Sequence, residues 1–221
     1  MCFRKRIAGL FVAVVAILTF TQLAEAQAGP KPKPKLPASN IDPGSTEGSI
    51  YTNKTLGIRI VYPSRMVADS REELDVASQE GLELYKQWDG EDVKIAETLA
   101  NRERSVFGIN MPKKDDDPFA SLSLSVSKDT TGGELEPMVT RFIKMLTSAP
   151  NIKLVKAPRK VNLAGLTCFS FELSAEISGI TVRSTFYSTR RKAHLLSFAI
   201  THFDDRGLDV MEKVLREIEL F

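Results

Sequence analysis

Four serines recur at every second position of one short stretch, Ser121, Ser123, Ser125 and Ser127, with Leu122, Leu124 and Val126 between them. A period of two is that of a β-strand, so the hydroxyls share one face and the apolar side chains the other. A row of small hydroxyls offers hydrogen bonds but no activated nucleophile, because a catalytic serine needs an adjacent base. The Gly-x-Ser-x-Gly elbow of hydrolases is absent. Such a face is either the solvated side of a sheet or a surface that accepts a partner, and these four serines form the candidate partner face.

The remaining reactive side chains are sparse. His194 and His202 fall on one face of one predicted strand, about 26 Å apart at about 3.3 Å per residue. That is too far to share a metal ion, and both are expected at strand ends near water. Asp115-Asp116-Asp117 and Asp204-Asp205 lack the spaced acids and glycine of a calcium loop. They are expected in solvated loops, the second pair also as the acidic approach to a helix N-terminus. Cys168 alternates with Thr167 and Phe169 within a strand. A nucleophilic thiol needs a lowered pKa and a neighbouring base, so a buried, inert cysteine is expected here. Neither a phosphate-cradling glycine loop nor a His-Glu-x-x-His pair occurs. No catalytic residue, cofactor or metal ligand is assigned.

These residues must be held by a chain of strands and helices. Leu56–Tyr62 reads as a strand with a hairpin back to Ser49–Thr52. Ser70 and Glu73 form a capping box that opens a helix running to about Lys86; residues 91–101 are left open. Strands follow at Ser105–Asn110 and Ala120–Ser127. A helix then carries Leu135, Met138, Val139, Phe142, Ile143 and Leu146 at helical spacing, ending by Pro150. Strands Lys153–Leu163, Thr167–Ile177, Thr181–Thr189 and His194–His202 are separated by Ala164-Gly165, Ser178-Gly179 and Arg190-Arg191-Lys192. Connectors this short join antiparallel neighbours. Asp209–Glu219 is expected as the closing amphipathic helix. The fold class is α+β, an antiparallel sheet flanked by helices.

The first residues address the chain. Arg4, Lys5 and Arg6 precede the uncharged run Ile7–Leu18, and Ala24-Glu25-Ala26 supplies a small-x-small site. That is the pattern of a secretory signal peptide over 1–26, cleaved near Ala26, and the run is shorter than a spanning helix. A secreted or periplasmic protein is expected, with no stable membrane insertion after cleavage. Pro30, Pro32, Pro34 and Pro37 alternate with lysines in a linker over 27–49, which favours an extended spacer. The folded domain is expected over 50–221.

The chain has 30 basic and 28 acidic residues. Arg4, Lys5, Arg6, Lys31, Lys33, Lys35 and Glu25 all precede residue 36, so residues 36–221 carry 24 basic against 27 acidic groups. A nucleic-acid partner is discounted, since phosphate binding needs clustered positive charge. Cys2 lies in the leader and leaves Cys168 alone, so no intramolecular disulfide is available.

Tyr51-Thr52-Asn53 leading to Leu56–Pro63, then Val161–Gly165, the strands Phe186–Thr189 and Leu195–Thr201, and Val214, Leu215 and Ile218 of the last helix form a recognisable layout. Over about 50–221 it resembles the PsbP-like (Mog1/PsbP) superfamily. The resemblance implies an α/β/α sandwich around an antiparallel sheet, and a domain that binds or assembles other proteins and does not catalyse. The functional expectation is an exported, non-catalytic domain acting on an envelope or secreted protein partner. The alternatives are a small-ligand carrier using the cleft between sheet and helix, or an envelope enzyme whose site assembles only in three dimensions. Deleting Gly29–Leu36 is expected to leave the melting temperature unchanged, and a clear drop in a thermal melt would refute the spacer assignment.

Overall fold

A computed structural model describes residues 41–85, 103–112, 119–129, 132–177 and 179–221, with the backbone alone for 80–85. The leader, the Pro-Lys run, residues 91–101 and Asp115–Asp117 lie outside the described residues.

The chain begins with β1 (Ser45–Glu47), β2 (Ile50–Asn53) and β3 (Ile58–Val61). The hairpin between β2 and β3 turns at Gly57, whose φ of +64° suits glycine, and a Cβ there would come within 2.2 Å of the Phe221 carbonyl oxygen. Asp42 ties the preceding segment to this hairpin, accepting from Thr55 Oγ1 at 2.7 Å and from the Gly44 N–H at 2.8 Å. After β4 (Val67–Ala68) comes α1 (Arg71–Tyr85). It starts at the expected capping box: the Ser70 N–H donates to Glu73 Oε2 at 2.7 Å and the Glu73 N–H to Ser70 Oγ at 3.3 Å.

Next are β5 (Arg104–Asn110), β6 (Ala120–Lys128) and α2 (Leu135–Leu146). Four long strands follow, β7 (Ile152–Leu163), β8 (Leu166–Ile177), β9 (Ile180–Arg191) and β10 (His194–His202). Two of their turns are two-residue connections with doubled positive φ, Ala164-Gly165 at +50° and +82° and Lys192-Ala193 at +46° and +60°. That geometry matches the twist of the flanking strands. The turn expected at Arg190-Arg191-Lys192 thus lies two residues later, with both arginines inside β9. The final helix α3 (Asp205–Arg216) also starts earlier than expected, because the Asp204 side chain accepts from the Gly207 N–H at 2.9 Å and caps it there. Glu219, expected as the last residue of the helix, instead joins Leu220 in β11 (Glu219–Leu220), which pairs with β3.

β1-β2-β3-β11 make a small antiparallel sheet, and β4-β5-β6-β10-β9-β8-β7 a larger one. One face of the larger sheet, carrying Leu122, Leu124, Phe198 and Ile200, packs with the small sheet and with Met211, Val214 and Leu215 of α3. The other face, carrying Phe171, Leu173 and Phe186, packs on Val139, Ile143 and Leu146 of α2. The result is the expected α+β sandwich with helices on both faces. No described helix is long and apolar enough to cross a membrane.

One side chain joins the two sheets. Arg191 at the end of β9 donates from Nε to the Leu56 carbonyl at 2.6 Å and from Nη2 to the carbonyls of Gly57 at 3.0 Å and Phe221 at 3.1 Å. The β2–β3 turn and the C-terminal residue are thereby held to the large sheet. Arg191→Ala is expected to lower unfolding stability by about 1–3 kcal/mol through loss of charged hydrogen bonds, as read by urea denaturation. A change within error would show that the carbonyls rehydrate freely.

Candidate functional site

β6 lies between β5 and β10, so its serines stand in rows across four strands. Ser125 is flanked by Ser105 and Ser197, with Ser188 next to Ser197. Ser121 is flanked by Asn110 and Thr201, with Ser184 beyond. Ser123 lies between Gly108 and Ala199, and Ser127 pairs with Leu195. All four candidate serines therefore share the α2-side face of the sheet, as their spacing predicts. Their environment is not uniformly wet: Ser121 and Ser127 are buried and Ser123 and Ser125 half-buried. Among the described residues, the buried hydroxyls of Ser121, Thr201 and Ser184 have no hydrogen-bond partner.

α2 covers only part of this face, because its apolar residues seat on β7, β8 and β9. Phe142 meets Phe171 and Phe186 edge-on, at centroid distances of 6.3 and 6.1 Å, while those two rings stack across β8 and β9 at 4.8 Å. The helix so fixed leaves an open cleft of about 100 Å³ beside β6. Ser125, Ser127, Ser188 and Ser197 form its polar floor and Leu135, Met138, Val139 and Phe142 its apolar wall, and Glu103 also lines it. Arg190 steadies the wall, since its Nη2 contacts Met138 Sδ at 3.6 Å while its Nε pairs with Asp129 Oδ2 at 2.7 Å.

Beside the serine rows sits a carboxyl that the sequence pattern did not single out. Asp69, just before α1, accepts from Asn110 Nδ2 at 2.6 Å, and its Oδ2 occupies the space where a Cβ on Gly108 would stand. Burial, then the charge of Glu73, push this carboxyl up to about 6, against the hydrogen bond from Asn110. The sequence signal was Gly108 in a strand interior, which marks a close approach by another group.

The opposite face of the sheet holds a second polar group. Glu172 is buried in β8 with Lys156 Nζ 2.7 Å from its Oε2. His202, expected near water at a strand end, is 0% exposed. Its Nδ1 lies 3.0 Å from the Asp204 carbonyl oxygen and its Nε2 3.4 Å from Thr185 Oγ1. Burial lowers its pKa, with the Asp204 carbonyl and the charge of Glu172 acting the other way. The burial has a simple cause: α3 begins three residues beyond His202, and its first turn covers the strand end. His194, half-buried, has its Nδ1 2.7 Å from the Lys192 carbonyl oxygen. Cys168 is buried, as expected, and desolvation pushes its thiol up to about 11, which opposes thiolate formation. Among the described residues no group of acids, histidines and cysteines is arranged to hold a metal ion.

No family model matches the chain, and no curated protein does. Solved structures similar to it include the cyanobacterial PsbP of Synechocystis sp. PCC 6803, at 13% identity and a TM-score of 0.49, covering 80% of this chain and 96% of that one. LpqN of Mycobacterium tuberculosis, a protein involved in cell envelope biogenesis, has 14% identity and a TM-score of 0.43 over 83% of this chain and 88% of that one. The Ran-binding protein Mog1p of Saccharomyces cerevisiae has 10% identity and a TM-score of 0.43 over 74% of this chain and 90% of its own. At these identities the likeness concerns fold alone.

Asp69 provides a pH test. A carboxyl whose folded-state pKa exceeds its ordinary 3.8 favours the folded state when neutral, so its contribution is complete at acid pH and is lost as pH rises through about 6. Urea unfolding between about pH 4 and pH 7.5 should show a loss of about 2–3 kcal/mol that Asp69→Asn removes. Parallel profiles for the two proteins would show that Asp69 is not the titrating group.

Proposed function

We propose that this protein is an exported, non-catalytic binding domain that receives an apolar side chain of an envelope or secreted protein partner in the cleft between α2 and β6. The observation that carries this reading is the cleft's combination of size and lining. Its volume of about 100 Å³ suits one buried side chain and lies below the about 300–1,000 Å³ usual for small-molecule sites. Met138 and Phe142 supply an adaptable apolar wall, and the serine floor offers hydrogen bonds to a backbone passing over it. The small-ligand carrier is less well supported for the same reason of size. An enzyme using Cys168 or His202 has against it the burial of both and the directions of their pKa shifts. The charge–apolar–small order of residues 4–26 supports export.

Crosslinked affinity capture from envelope and secreted fractions tests this reading. The wild-type protein is expected to recover one stoichiometric protein, and Met138→Arg or Ser125→Trp, each filling the cleft from a different element, to lose it by about tenfold or more while melting normally. Equal recovery by both folded variants would overturn the assignment of the cleft.

A further inference from the structure

β7 is an edge of the larger sheet: one side pairs with β8, and no described strand pairs with the other. Of its 12 residues, Lys153, Lys156, Arg159 and Lys160 are basic and none is acidic, in a domain that otherwise carries an excess of acids. All four are exposed. Lys156 is engaged by Glu172, and Lys160 lies over the Phe169 ring at 5.5 Å. Lys153 and Arg159 have no ion-pair partner among the described residues, and Leu154 and Val155 are 43% and 45% exposed between them. Exposed Arg141 and Lys144 of α2, which packs on β7, extend the same sign of charge.

Lysines, a proline and bulges are ordinary guards on an edge strand. Here Pro158 and the register shifts between Leu154 and Arg159 break the first half of β7. The second half is different: Arg159–Leu163 pairs without interruption with Leu166–Ser170, so its outer side is a regular template about 17 Å long. Like charges set opposite each other destabilise a strand pair and opposite charges stabilise it. The basic run therefore rejects a second copy of itself and selects an acidic strand.

We propose that β7 is a docking edge for an extended, acidic segment of a protein partner, which adds as a further strand beside Arg159–Leu163. The inference shares with the functional reading above only the idea of a protein partner, and uses a surface two strands away from the cleft's floor.

Fluorescence anisotropy of a labelled alternating Glu-Val peptide against the purified protein tests it. Saturable binding is expected, together with slowed amide exchange at Lys160–Asn162 in the complex. The affinity should fall about tenfold or more in the K153E/R159E double variant, and likewise at about 0.5 M salt. Both replaced side chains are exposed and Lys156 is kept, so Glu172 retains its partner; circular dichroism checks that the variant folds. An alternating Lys-Val peptide should not bind. Three results would each overturn the proposal: undiminished binding to the folded double variant, binding without exchange protection, or equally tight binding of a thymidine oligonucleotide of the same charge. Aggregation of a K153S/R159S variant without any peptide binding to the wild type would assign the charges to edge protection alone. Cleft variants leave these readouts unchanged, so the two readings fail separately.

Discussion

The stacked pair Phe171–Phe186, with Phe142 set edge-on against both, is the contact on which the binding side of this molecule depends. The two rings are direct cross-strand neighbours on β8 and β9, so the sheet register sets their separation. Aromatic rings that meet edge to face add orientation to simple burial. Phe142 belongs both to this trio and to the cleft wall. Seating it places α2 over one half of the sheet and leaves an open cleft between the helix and Ser125, Ser127, Ser188 and Ser197. The cleft is thus a consequence of where one short helix can find an apolar floor.

The same sheet has to be stable on both faces while carrying polar groups inside. Glu172, His202 and Thr185 lie on the α3 side and Ser121, Ser184 and Thr201 on the α2 side, all buried. Buried polar groups that are only partly satisfied weaken a core, and an apolar surround has to offset them. On the α3 side Tyr51, Phe107 and Phe198, all almost fully buried, provide it. Tyr51 stacks on Phe107 at 4.6 Å, which couples the small sheet to the large one. Arg191 makes the same junction with hydrogen bonds. One contact is shape and the other is charge directed at carbonyls that glycine turns leave accessible.

Much of this architecture was legible because its causes are local. The Ser70–Glu73 cap, the alternation in β6 and the apolar spacing of α2 each act within a few residues, and each element formed where its pattern lay. The errors fell where a distant group intervenes. His202 is buried because a helix start folds over it. Glu219 leaves the last helix because β3 offers it a backbone partner. The turn at Lys192-Ala193 escaped notice because neither residue advertises positive φ. The serine face was legible as a face, but not the rows that Ser105, Ser188 and Ser197 add from other strands.

What the residues decided unaided was the kind of each element, the two-faced character of β6, the lone cysteine and the basic run of β7, since periodicity and charge are properties of neighbours in sequence. Tertiary structure alone decided that Asp69 would rest against Gly108, that Arg190 would brace Met138, and that Phe142 would stop where it leaves an open cleft. Those pairings join positions 39, 52 and 29 or more residues apart, and their geometry follows from strand order and register. No local pattern encodes that order, because it is settled only when the whole sheet competes for its burial.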